Sequence, residues 1–327
     1  MGLILPDRPS WIASASPGSP RVWLRVRPGT RTRLPIAWGA SASAGTCHDR
    51  GVNDPEPLCS TGCFSRDPDL SSIDLVVRGM RQLRGSSFEV IFYSTWFDIA
   101  DAAARTINAS GSPTPVLHAE KSIGPAFASS VEPDTVDAFD KFEINCRFGR
   151  AIDAQRLVLH LWGLPDSDAL LHRNLAALPR LLDIADRYGL TLSIETLLCQ
   201  VSTPLDAVAR CREVDQRARI TLDTVFLAMH DQLGSAVVDD RLWPAGVDHV
   251  HLKDYPDPSL GWGKAPYLHP GDGALDLSGF VEGLHARGYA GTMTLETHAL
   301  LEDNGPDIAR IEASLDWIRE TRAQCRL

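Results

Sequence analysis

No run of eighteen consecutive apolar residues occurs anywhere in the 327-residue chain, so no segment has the length and apolarity of a membrane-spanning helix. The opening stretch, Met1 to Pro6, is apolar, but Pro6 and Pro9 break it too soon for a secretory signal, and a cytoplasmic location is expected. Cysteine is sparse. The seven residues (Cys47, Cys59, Cys63, Cys146, Cys199, Cys211 and Cys325) are odd in number, scattered, and without the paired spacing of a zinc ribbon. That pattern argues against a disulfide framework and for reduced thiols. Lysine is scarcer still, with only Lys121, Lys141, Lys253 and Lys264. Positive charge is missing where a nucleic-acid partner would need it. Net charge is −10, yet residues 1–51 hold seven arginines against Asp7 and Asp49, a net +5, which leaves −15 on the rest. A body that acidic repels a phosphate backbone, so neither nucleic acid nor a membrane surface is an expected partner.

What is present suits one large α/β core: the chain is 44% hydrophobic and long enough for a single barrel. Residues 1–55 read differently from the remainder. Pro, Gly, Ser, Thr and Arg dominate there, as in Ser14–Pro20 and Arg27–Arg33, with at most a short strand at Leu34–Trp38. This composition reads as a flexible extension. The alternative is that it precedes a start at Val52, and the intact mass of protein made from the native gene separates the two. Residues 56–327 form the expected catalytic domain. Candidate strands there are Leu58–Phe64, Phe88–Tyr93, Pro115–Glu120, Arg156–Trp162, Leu190–Glu195, Arg219–Asp223, Asp248–Leu252 and Thr292–Glu296. Helical periodicity lies between them, as in Leu171–Tyr188 and Pro204–Asp215, with Asp307–Thr321 closing the chain. Eight strands alternating with helices predict a (β/α)8 TIM barrel.

Four of those strands end in a side chain that can hold a metal: Glu195, Asp223, His251 and Glu296. Glu195 to Asp223 is 28 residues, Asp223 to His251 is again 28, and His251 to Glu296 is 45, the excess falling in the loop after Asp254. A period near 28 fits one strand, one helix and two short loops. Parity supports the same picture. Leu192 and Ile194, Leu222, Val250 and Leu252, and Met293 and Leu295 share one face, while Ser193 and Glu195, Thr221 and Asp223, His249 and His251, and Thr294 and Glu296 share the other. Alternation therefore turns the polar set inward and the apolar set toward the helices. Two glutamates, an aspartate and a histidine make an oxygen-rich site for one divalent ion. Mn²⁺ suits it best, and Mg²⁺, Co²⁺ and Zn²⁺ are compatible.

These segments, Ser193-Ile-Glu195-Thr, Leu222-Asp223-Thr, His249-Val-His251-Leu-Lys-Asp254, Pro270-Gly-Asp-Gly273 with Asp276, and Thr294-Leu-Glu296-Thr, resemble the xylose isomerase-like barrel superfamily, in particular its sugar phosphate isomerase/epimerase branch. Ser60-Thr-Gly-Cys-Phe64 resembles that branch's first strand, and Glu89 stands where its second strand commonly carries a glutamate. The resemblance implies one divalent cation on Glu195, Asp223, His251 and Glu296, with the two glutamates also serving as the acid–base pair. It implies an isomerase or epimerase of a small sugar, sugar phosphate or related hydroxy-ketone, acting by proton transfer through a metal-stabilised enediolate. The chain departs from the branch in two places. Phe226 replaces a histidine often found three residues after the strand-6 aspartate, and an arginine usual before the Pro-Gly motif is missing, with Lys264 and His269 in that loop.

Each residue also has a plainer reading. A lone carboxylate at a strand end is commonly a helix cap. His249, one inward step below His251, reads as a supporting histidine rather than a ligand. His118 and His160 divide between packing and substrate contact, as do Trp96, Trp162 and Trp262 between core and the floor of a sugar pocket. Lys253 is either a substrate contact or the partner of a barrel carboxylate. Asp254 reads as a loop cap, and Pro270–Gly273 as a turn. Substrate contacts are thus expected among His118, His160, Trp162, Lys253, Lys264 and His269. Competing activities are dehydration of a polyol ketone such as an inosose, a phosphodiesterase of the apurinic-endonuclease type, and a barrel without catalysis. Assembly as a homo-oligomer is compatible with the sequence.

Overall fold

The computed structural model describes residues 55–64, 73–83, 85–163 and 167–325. The expectations for residues 1–54, including the short strand at 34–38, lie outside the described residues. The chain divides into two units at Gly51/Val52, and every described residue belongs to the second.

Eight parallel strands close on themselves in chain order: β1 (Leu58–Ser60), β2 (Ser87–Ile91), β3 (Val116–His118), β4 (Arg156–Leu159), β5 (Thr191–Glu195), β6 (Arg219–Asp223), β7 (Val247–Leu252) and β8 (Thr292–Leu295), with β8 pairing back onto β1. The (β/α)8 barrel expected from the alternation is the fold observed. Helices α1 (Ile73–Gln82), α2 (Ala100–Asn108), α3 (Ile123–Ala126), α4 (Glu132–Ala151), α5 (Leu171–Arg187), α6 (Pro204–Val214), α7 (Thr224–Met229), α8 (Leu233–Ala236), α9 (Leu277–Ala286) and α10 (Ile308–Gln324) fill the connections. Among the described residues no helix is long and apolar enough to cross a membrane. No disulfide joins any of the six described cysteines.

Three strands are well short of the expected runs, β3 covering only Val116–His118 while β1 and β4 end early. β1 stops at Ser60, where the chain turns into a 3₁₀ segment at Thr61–Phe64, and β4 stops at Leu159. Burial of Leu161, Trp162, Cys63 and Phe64 explains the misreading, because these residues pack in the core without pairing in the sheet. Glycine decides one of these junctions. A Cβ on Gly124 would run into the His160 carbonyl oxygen, so only glycine lets α3 lie this close behind the end of β4.

The polar interior predicted by strand parity is real. Ser193, Thr221, His249, His251, Thr294 and Glu89 are all fully buried, and a small separate cluster of Leu58, Val116 and Val158 shares the inside with them. The main core, with Leu192, Ile194, Leu222, Val250 and Leu295, lies between sheet and helices. At β6–β7 the register shifts between Ile220 and Thr221, opposite Val247 and His249. This bulge, absent from any simple alternation, gives β7 one extra residue, Asp248. Asp248 accepts from Ser193 Oγ (2.8 Å) and Arg156 Nε (2.8 Å), while its neighbour His249 reaches Glu89. Two successive side chains thereby join the interior network.

Candidate metal and acid–base site

The register fixes the heights of the four strand-end residues. Asp223 is level with His251, Glu195 pairs with Thr221 one inward step below Asp223, and Glu296 follows Thr294, which is level with His251. Their ligand atoms lie within 4.8 Å of one another. Asp223 carries both of its readings at once. Its Oδ1 accepts from Phe226 N (2.9 Å) as the N-cap of α7, which aims Oδ2 into the barrel mouth. There Oδ2 is buried and has no aligned hydrogen bond, and the Lys253 ammonium approaches it at 2.6 Å. The same ammonium lies 2.5 Å from Glu296 Oε2, between the rings of Phe226 (5.1 Å) and Tyr267 (4.7 Å).

Hydrogen-bond directions below the site orient His251. Arg156 Nη1 donates to Thr292 Oγ1 (2.8 Å), whose hydroxyl proton then goes to His249 Nδ1 (2.7 Å). The ionised Glu89 carboxylate can only accept, so His249 Nε2–H donates to Glu89 Oε2 (2.9 Å) and His251 Nε2–H donates to Glu89 Oε1 (3.0 Å). His251 Nδ1 is the remaining nitrogen, 3.1 Å from Glu195 Oε1 and 3.4 Å from Glu296 Oε2. A neutral imidazole would present a lone pair to two carboxylates, so either a proton or a metal cation must sit on Nδ1. Charge makes the same demand. Glu89, Glu195, Asp223 and Glu296 face one buried lysine, Lys253, with Lys121 half exposed at the rim, and buried charge in excess of its partners is costly. The donor set therefore fits a divalent ion, which Glu195, Asp223, His251 and Glu296 could hold, with Glu89 against His251 from behind.

The titration of these groups follows from the same crowding. Burial alone would lower His251, but Glu89, Glu195 and Glu296 outweigh it and raise it well above the usual histidine range. Burial alone would raise Glu89, yet His251 and His249 hold it well below the carboxylate range, and His160 and His251 do the same for Glu195. Glu296 is brought down to about 2 because Lys253, His251 and Lys121 overcome its burial. Asp223 goes the other way, to about 6, because burial and then repulsion from Glu195 and Glu296 exceed the pull of Lys253. Burial takes His160 down to about 4, so it is neutral near pH 7.

A cavity of about 560 Å³ opens above these groups. Glu195, Glu296, His160 and Lys253 line its base, and Lys121, Phe226, Trp262 and Tyr267 are among its walls. Of the expected substrate contacts, the structure brings His160 and Lys253 to the cavity and places His118 behind them, bonded to Glu195 Oε2 at 3.2 Å. Three others do not line it. Trp162 lies past the end of β4, fully buried, with Nε1 donating to Leu198 O. Lys264 is exposed, and His269 turns away to Ser314 on α10 at 2.7 Å. The cause is the antiparallel bridge between Asp254 and Leu268, which folds the long loop back and delivers Tyr267 and Trp262 to the cavity. Trp96 is core, packed against Phe92 and Phe148. Sequence reading overlooked Lys121, 3.9 Å from Glu296 Oε1; the scarcity of lysine was the available signal.

The architecture has relatives among solved structures. D-psicose 3-epimerase from Clostridium cellulolyticum H10, with D-tagatose, is 15% identical with a TM-score of 0.63, covering 82% of this chain and 99% of that one. A xylose isomerase domain protein from Alicyclobacillus acidocaldarius is 17% identical with a TM-score of 0.64, covering 83% and 99%. A 3-keto-D-glucoside 4-epimerase from E. coli is 18% identical with a TM-score of 0.60, covering 82% and 99%. At these identities the likeness is one of fold. No curated protein sequence matches the chain. The family profile described as the xylose isomerase-like TIM barrel matches residues 78–321, and the chain belongs to that family.

Proposed function

We propose that this protein is a divalent-metal-dependent isomerase or epimerase of a small sugar, sugar phosphate or related hydroxy-ketone. One observation carries the reading: two ionised glutamates, Glu195 and Glu296, converge with Asp223 and His251 at the base of a cavity of about 560 Å³. Both solved epimerases named above share the barrel, which supports the reaction class by analogy. A bound divalent ion supplies Lewis acidity, polarising a carbonyl oxygen so that the adjacent C–H becomes acidic. The donor set favours Mn²⁺, with Mg²⁺, Co²⁺ and Zn²⁺ compatible. Glu195 and Glu296 are the proton carriers, one removing a proton from carbon and the other returning one. Lys253 holds Asp223 and Glu296 in place, Lys121 presents a donor toward a substrate's oxygens, and neutral His160, whose Nε2–H donates to Glu195 Oε2 at 2.7 Å, keeps Glu195 oriented. Enclosure of the base by Phe226 and Tyr267 limits water around the carboxylates.

The test is incubation with a panel of ketoses, inososes and hydroxypyruvate in heavy water, with Mn²⁺ present. Incorporation of one deuterium at carbon in the product is expected. A product 18 mass units lighter, roughly one water lost, would identify a dehydratase acting through the same proton abstraction. No exchange across the panel with metal bound would overturn the proposal.

Metal loading is expected to depend on pH. An ion must displace the proton on His251, which is held well above the usual histidine range, and below about 6 the proton on Asp223 as well. Apparent affinity should therefore fall about tenfold per unit as pH drops from about 7.5 to 6, and more steeply, about a hundredfold per unit, below that. Isothermal titration with Mn²⁺ between pH 5 and 7.5 checks this, and a flat profile would contradict it.

A further inference from the structure

The loop between β7 and α9 presents a tryptophan that the proton transfer does not use. Trp262 lines the cavity yet is 43% exposed, and Leu260 beside it is 49% exposed. A half-exposed tryptophan at a cavity lip keeps a large apolar face ready for contact. The loop holds it there by construction. Gly261 (φ +81°) and Gly263 (φ +72°) flank it in the left-handed region that favours glycine. The buried Tyr255 hydroxyl donates to Gly261 O (2.8 Å) and accepts from Ala265 N (3.0 Å), closing the loop tip on both sides of Trp262. The indole is tied through Nε1, which donates to the Tyr267 hydroxyl oxygen at 3.2 Å. Trp262 and Tyr267 are thereby joined as one aromatic wall, and Tyr267 in turn covers Lys253 at 4.7 Å.

Size and charge indicate what this wall receives. At about 30 Å³ per water-sized group, 560 Å³ admits roughly nineteen of them, whereas a hexose brings about twelve non-hydrogen atoms. One sugar ring at the glutamates therefore leaves room for a second ring toward the lip. The wall is poorly made for a phosphate. Among the described residues no arginine lines it, Lys253 is engaged by Asp223 and Glu296, and Lys121 is 3.9 Å from Glu296 Oε1. Glu120 adds a further carboxylate to the lining. Its Oε2 accepts from Ser122 N (3.1 Å) and Ser122 Oγ (2.5 Å), which leaves Oε1 to accept from a sugar hydroxyl.

We propose that the substrate is an uncharged glycoside, with its sugar ring at Glu195 and Glu296 and a second ring stacked on Trp262. Covering the indole removes apolar area from water, and its flat face selects a ring over a flexible chain. Tyr255 is a positioning residue, acting through the loop tip that carries Trp262. The inference rests on the isomerase reading for the sugar and adds the part of the substrate that the reaction does not touch.

Calorimetry on the full-length, Mn²⁺-loaded protein tests it. The probes are glucose and fructose, their phenyl glycosides, cellobiose and glucose-6-phosphate. A phenyl glycoside or cellobiose is expected to bind about tenfold more tightly than the free sugar, the better of the two identifying the second ring. Glucose-6-phosphate should bind no more tightly than glucose. Trp262→Ala should abolish the gain while free sugars stay within about twofold, with thermal unfolding confirming the fold. Tyr255→Phe, which keeps the ring and loses the clamp, should remove part of the gain. Wild type gaining nothing from a second ring, or a gain that Trp262→Ala retains, overturns the proposal. Tighter binding of glucose-6-phosphate than of any glycoside also overturns it. Heavy water separates this from the isomerase reading. A Trp262-dependent gain without deuterium exchange leaves the subsite standing and removes the isomerase, and exchange into free ketoses without any gain does the reverse.

Discussion

Glu296→Gln is expected to lower turnover of the accepted substrate by roughly three orders of magnitude while the barrel stays folded. Glutamine keeps an oxygen for a cation and a shape that fits beside Lys253, so metal content should fall little; what disappears is the basic lone pair. Glu296 is the more exposed of the two glutamates, at 11% against 1% for Glu195, and its replacement disturbs the interior least. Glu195→Gln should cost at least as much, because Glu195 also receives His118, His160 and His251. The two variants should differ in heavy water. With one proton carrier removed, the remaining carboxylate can still exchange the hydrogen on its own face of the carbon. Slow deuterium incorporation into one stereoisomer without conversion to the other is therefore expected, with the favoured stereoisomer opposite in the two variants. Near-wild-type turnover in either variant, with metal present, would remove that residue from catalysis.

Asp254→Ala is expected to destabilise the domain by about 3–5 kcal/mol, lowering Tm by roughly 10 °C. The Asp254 carboxylate is wholly buried and collects four backbone N–H groups: Tyr255 (2.8 Å) and Leu275 (3.1 Å) on Oδ1, and Gly271 and Gly273 (both 3.0 Å) on Oδ2. Hydrogen bonds to an ionised acceptor are the strong kind, and alanine leaves the donors without a partner inside the protein. The space is as demanding as the bonding, since a Cβ on Gly273 would collide with this carboxylate. Asp254→Asn retains one acceptor oxygen and should lose about half as much. The same loop carries Tyr267 over Lys253, so both variants should also weaken substrate binding. Thermal unfolding of the three proteins decides, and an unchanged Tm for Asp254→Ala would refute the capping role.

Much of this was legible in the chain. Alternation along β5 to β8 announced which side chains point inward, and the 28-residue spacing announced the barrel, because both depend on local geometry that sequence encodes directly. Asp254 as a cap and His249 as a supporting histidine followed from turn chemistry and from one inward step along a strand. Lys253 was left between two readings, and it proves to pair Asp223 with Glu296 while also lining the cavity.

Other features depended on contacts distant in sequence. The Asp248 bulge, the early end of β4 and the fold-back of the loop at Leu268 have no periodic signature. They set why Trp162 is core and why Tyr267, not His269, reaches the cavity. The sequence by itself determined the barrel and the four strand-end side chains that converge at its mouth, since strand parity and repeat length are short-range properties. Only the tertiary structure decided that Glu89, 162 residues from His251, sets which of its nitrogens faces the carboxylates. It alone turned one oxygen of Glu195 toward His118 and His160 and the other toward His251, because closing the barrel brings β3, β4 and β7 around a single buried carboxylate.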